Sequence, residues 1–184
     1  FGIPLAIDNT LWLLIGALIL WGMQGSLPQT LLMLTAGIVS LVTHELGHAF
    51  AARHFGLTPI AITLHGMGGA TTHRRPKSPA QSLVVSLAGP AAGFMLFFLS
   101  VTTAQVTGDY LPSILATLMA YFVMINLVWS LFNLIPIMPM DGGVALLAAL
   151  QWLGVSHAWP IALVVGLLSS VALLIFGLYL QLGP

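Results

Sequence analysis

The chain has 184 residues, of which 59% are hydrophobic and 4% charged, four Lys/Arg balancing four Asp/Glu, and its mean hydropathy is +1.06. A soluble domain carries about 25% charged residues, and a nucleic-acid binder needs a field of Lys/Arg to neutralise phosphates; both classes are excluded. Cysteine is absent, which removes disulfide frameworks, thiolate metal sites and cysteine nucleophiles.

What remains is an integral membrane protein. At its N-terminus Ile3-Pro4-Leu5-Ala6-Ile7 reads as a short strand or an interfacial segment. A bilayer span takes about 20 apolar residues, and apolar runs fall at 10–23, 30–52, 82–106, 111–134, 143–153 and 159–180. The first has the length of a signal peptide but neither a basic leader nor an Ala-x-Ala-like cleavage site, so a retained helix is expected. Residues 58–72 alternate weakly and contain Gly66, Gly68 and Gly69, the pattern of a hairpin or re-entrant loop. A free edge there would suit an unwound peptide added as a strand. The fifth run is too short to span alone, which leaves five full spans, or six if it is counted. The expectation is an all-α polytopic membrane protein of about six transmembrane helices, one of them short, with a small hairpin or re-entrant loop.

Arg53, Arg74, Arg75 and Lys77 all lie between the second and third runs. The positive-inside rule puts that connection in the cytoplasm. The N-terminus and residues 135–140 then face the cytoplasm and residues 108–109 the outside, with the cell membrane as the expected location.

His44-Glu45-Leu46-Gly47-His48 fits H-E-x-x-H inside the second run. Residues four apart share a helix face, so both imidazoles can bind one cation while Glu45 reaches its water. Zinc suits two imidazoles plus an oxygen ligand with one position open. A charged group at the centre of a span costs about 2.5 kcal/mol or more, and an apolar helix does not carry three polar groups without a partner for them.

Glu45 is the sole glutamate, so the third ligand is sought among Asp8, Asp109, Asp141, His54, His65, His73 and His157. The metzincin pattern would use His54 but needs a glycine at position 51, where this chain has Ala51. On a continuing helix His54 lies roughly 80° off the His44 face and about two turns beyond His48. Asp109 falls on the outer side and Asp8 precedes the first span. Asp141 fits better: it follows Pro136 and Pro139, which stop the fourth helix, and precedes Gly142-Gly143, which permit close backbone approach. That places it in the same leaflet as the His pair, with a helix N-cap as its alternative or additional role. Asn126 lies on the fourth run, where an interhelical hydrogen bond is the commoner use of such a residue. Gly89 and Gly93 form a G-x-x-x-G that suits close helix packing.

Together these segments resemble the site-2 protease family of intramembrane zinc metalloproteases. His44 to His48 matches its H-E-x-G-H, residues 133–142 match N-x-x-P-x-x-P-x-D-G, and Leu87-Ala88-Gly89-Pro90 is similar to its A-G-P element. Gly68-Gly69 resembles the glycine pair of its membrane-associated loop. The resemblance runs from Phe1 to Leu147. It implies one zinc per chain held by His44, His48 and Asp141, Glu45 as general base, and Asn133 assisting the oxyanion. The implied substrate is a transmembrane protein within the lipid bilayer. Three positions depart from the pattern: Gly93 stands where many members have Asn, Val144 where Arg is frequent, and Gln81 where Glu is common. Residues 1–184 are expected to form a single domain without a PDZ or other regulatory domain, and a start at Phe1 rather than Met is expected of a processed or shortened chain.

Two other classes compete. A membrane metal transporter or channel would use intramembrane His and Asp as an ion path but needs no poised base. A catalytically dead scaffold would not need Glu45, both His and Asp141 intact.

Overall fold

The computed structural model describes residues 2–22 and 25–182. Phe1, Met23 and Pro184, which bound some of the expectations above, lie outside them. The chain order is β1 (Leu5–Ile7), α1 (Leu11–Gly22), α2 (Leu27–His54), β2 (Ala61–His65), β3 (Gly68–Thr72), α3 (Pro79–Thr107), α4 (Ser113–Asn133), α5 (Asp141–Trp152) and α6 (Ala158–Leu182).

Four of these helices, α2, α3, α4 and α6, are long and apolar enough to cross a membrane. α1 and α5 are described over 12 residues each, about 18 Å of helix against a hydrocarbon core of about 30 Å. The six expected helices are therefore present among the described residues, with the short fifth helix as expected. α3 is the hub, packing against α2, α4 and α5, while α6 touches mainly α5. Most of the apolar surface of α6 is exposed, as befits a helix that meets lipid.

The N-terminal segment is a strand, and residues 58–72 contain a hairpin. β1 runs parallel to β2, pairing Leu5 with Ile62 and Ile7 with Leu64. β2 and β3 are antiparallel, from Ala61 opposite Thr72 to His65 opposite Gly68. The order is β1-β2-β3, so β3 is an edge. Side chains alternate across a strand, and on β2 this sends Ile62 and Leu64 into a core with Leu11, Leu41, Ala49, Ala52, Leu57 and Val85. That core fastens the sheet to α2. At its other end Gly66 N–H donates to Thr10 Oγ1 at 3.0 Å, which ties the hairpin turn to the start of α1.

α2 continues unbroken to His54. The turn comes at Gly56, whose φ of 67° lies in the left-handed region that favours glycine; Leu57 N–H reaches back to the Ala52 carbonyl at 2.9 Å. Because the chain bends after position 54 and not at Ala51, His54 stays on the helix, exposed and stacked edge-on against Phe55. α3 starts at an N-cap, Ser78, whose hydroxyl accepts from Gln81 N–H at 3.3 Å. Gln81 Oε1 in turn accepts from Lys77 N–H, one residue before the cap, at 2.9 Å, so the residue that departs from the family pattern ties the start of α3 to the chain that enters it.

Candidate metal centre and active site

His44, Glu45 and His48 are buried on one stretch of α2, at 3%, 4% and 8% exposure. The two Nε2 atoms converge to 3.2 Å. Asp141, the first residue of α5, reaches both: Oδ2 is 3.0 Å from His44 Nε2 and Oδ1 is 3.3 Å from His48 Nε2. The N-cap of α5 is Met140, so the Asp141 side chain is turned to the imidazoles and not to capping. Gly142 and Gly143 permit this approach, since a Cβ on either would strike the Leu134–Met138 backbone.

His48 Nδ1 lies 2.7 Å from the Val85 carbonyl on α3. A carbonyl only accepts, so Nδ1 carries the proton and neutral His48 presents a bare Nε2. That lone pair faces the second imidazole and a carboxylate. Convergent electron pairs in a buried setting call for a cation between them, and one donor atom from each of His44, His48 and Asp141 lies within 4.8 Å of the others. Two nitrogens and one carboxylate oxygen are a donor set that zinc accepts with a fourth position open. The residues fit the ion.

Small residues make the room. A Cβ at Gly47 would run into the Ala88 carbonyl, and one at Gly89 would meet His48 Nε2, with His44 Nε2 at 2.8 Å. Gly47 thus lets α3 close onto α2, and Gly89 leaves the space where the imidazoles converge. Gly93 packs on Ser130 of α4, whose side chain fills the space opposite the departing position.

A cavity of about 770 Å³ opens beside the triad, lined among others by Glu45, His65, Thr71, His73, Trp129, Asn133 and Val144. Asn133 is at its wall, its Nδ2 donating to the Trp129 carbonyl at 2.9 Å. His65 accepts from Met67 N–H at 3.3 Å. The remaining candidates are elsewhere. His157 sits by Ser156 in the turn between α5 and α6, and Asp109 follows the far end of α3. Asp8 caps the start of α1, where the Thr10 hydroxyl and amide hold its carboxyl below the ordinary range. Asn126 makes the interhelical bond expected of it, donating to Ser40 Oγ at 2.8 Å.

Known proteins share this arrangement of helices. The solved structure of the site-2 protease from Methanocaldococcus jannaschii superposes with a TM-score of 0.69 and 27% identity, covering 99% of this chain and 83% of that one. A zinc metalloprotease of the same organism is 32% identical over 180 residues, which is 96% of this chain and 52% of the relative. The chain belongs to the site-2 protease family. A Synechocystis protein bearing the name "Putative zinc metalloprotease" is 35% identical over 156 residues, 78% of this chain and 40% of its own length. This family member thus spans about half or less of these two curated relatives. No protein-family model matches it. The relatives' names do not favour a metal transporter.

Two contacts of this site-2 protease family chain have no counterpart in its sequence reading. One is the Val85 carbonyl that orients His48; a backbone group leaves no signal in a motif. The other is Thr71 of β3, whose hydroxyl donates to Glu45 Oε2 at 2.7 Å. Its signal was faint but present, because Gly69 and Thr71 are two apart and share a strand face.

Proposed function

We propose that the chain is an intramembrane zinc metalloprotease that hydrolyses a peptide bond within or near a transmembrane segment of a membrane-protein substrate. The observation that carries this reading is the convergence of His44, His48 and Asp141 at the wall of a cavity that Glu45 also lines. One zinc per chain would be held by those three residues, leaving a position for water or substrate. When bound, zinc acts as a Lewis acid toward water and the peptide carbonyl. Glu45 accepts the proton of the attacking water and afterwards delivers it to the leaving nitrogen. Asn133 has one amide N–H committed to the Trp129 carbonyl and a second free to face the oxyanion as a fixed dipole. An unwound segment of substrate would pair along the free edge of β3, where main-chain hydrogen bonds give binding without demanding one sequence.

The cations between α2 and α3 support a cytoplasmic position for that connection, in the cell membrane, with the N-terminus on the same side. The direct test is purified protein in liposomes with a transmembrane substrate. Cleavage that stops on chelation and returns with zinc supports the reading. Metal flux that depends on His44 and His48, without cleavage, would replace it with transport.

A further inference from the structure

The carboxylate of Glu45 is held by the hairpin as well as by its own helix. Thr71 Oγ1 lies 2.7 Å from Glu45 Oε2 and 3.0 Å from the Glu45 backbone carbonyl, so one hydroxyl proton serves both ends of that residue. Gly69 sits on the same face of β3. A Cβ there would come within 2.6 Å of both Cδ and Oε1 of Glu45. The carboxyl group therefore lies along β3, one oxygen on the Thr71 hydroxyl and the other beside Gly69. A buried carboxylate needs donors, and next to it and one turn away on α2 Glu45 has the apolar Leu41, Val42, Leu46 and Ala49 beside the two imidazoles.

We infer that Thr71 is a positioning residue which, with Gly69 giving it room, ties the Glu45 carboxylate to edge strand β3. The inference rests on the reading of Glu45 as general base. With Oε2 fixed on Thr71, Oε1 is the oxygen that takes the proton, and its direction is set by the strand. A peptide pairing along residues 68–72 would then act on the same element that holds the base, so substrate docking and base alignment are joined through one hydroxyl.

The test uses the full chain loaded with zinc, comparing the parent with Thr71→Val and Thr71→Ser. Four quantities are read: kcat, KM, bound zinc, and hydrogen–deuterium exchange of residues 68–72. Thr71→Val is expected to lower kcat about ten- to a hundredfold, the effect of losing a hydrogen bond to a charged group. KM and zinc content should hold, and exchange in β3 should quicken. Thr71→Ser keeps the hydroxyl and should stay near the parent on every measure. Gly69→Ala should lose kcat with zinc retained. Thr71→Val cleaving at the parent rate, or Thr71→Ser failing as badly as Val, overturns the inference. If Thr71→Val does not accumulate, Thr71→Ala against Thr71→Ser makes the same comparison. Should the parent cleave nothing, the protease reading falls and exchange decides the tie: it stands if Val loosens β3 and Ser does not, and falls if both match the parent.

Discussion

His48 Nδ1 meets the carbonyl oxygen of Val85 at 2.7 Å, and this contact on the neighbouring helix decides which ring nitrogen faces Asp141. A metal-ligating histidine commonly gives its other N–H to such an acceptor, which fixes tautomer and ring direction together. In zinc-loaded protein, nitrogen NMR of His48 should show a protonated Nδ1 and a metal-bound Nε2. A protonated Nε2 would contradict this assignment.

Gly89→Ala and Gly47→Ala are expected to fail in different ways. A Cβ at Gly89 would lie 2.6 Å from His48 Cε1 and 2.8 Å from His44 Nε2. Its cost falls on the imidazoles, and zinc affinity should drop by about 10–100-fold, the scale seen when groups that orient ligands are disturbed. At Gly47 the Cβ runs into the Ala88 backbone, which cannot rotate away. That change should cost about 1–3 kcal/mol of stability as α2 and α3 part, read by thermal unfolding in detergent. Equal zinc loss in both variants would refute the division.

Asp141→Ala should lose much of the zinc and of the activity, and His54→Ala should keep both. His54 is exposed at the end of α2, whereas Asp141 lies 3.0 Å and 3.3 Å from the two Nε2 atoms. Metal analysis of the purified variants checks this, and the reverse pattern would favour a metzincin-like site.

Much of this arrangement was legible because it obeys local rules. The i, i+4 histidines share a face by helix geometry alone, and Asp141 could be matched to them by counting spans. The spacing of Gly66, Gly68 and Gly69 marked a hairpin or re-entrant loop, and the chain forms the hairpin. Other parts depend on tertiary placement. Three residues of β1 carry no period of their own and become a strand because β2 offers its edge. Thr71 matters because the sheet is pressed onto α2 by Ile62 and Leu64, a contact that no motif around Thr71 announces.

Orientation is tested by labelling, which is clean in a chain without cysteine. A cysteine at Ser78, exposed before α3, costs a helix cap of about 1 kcal/mol and leaves the cations in place. In intact cells it should resist an impermeant thiol reagent added outside and label after permeabilisation. Ready labelling from outside would invert the topology.

Glu45→Gln is the most direct measurement of the central claim. The substitution keeps size and shape but removes the basic carboxylate, while His44, His48 and Asp141 remain to hold the metal. Zinc content should match the parent, and cleavage of a transmembrane substrate should fall by about 10²–10⁴-fold, the usual worth of a general acid–base group. A zinc-loaded Glu45→Gln protein that cleaves at the parent rate would contradict the mechanism.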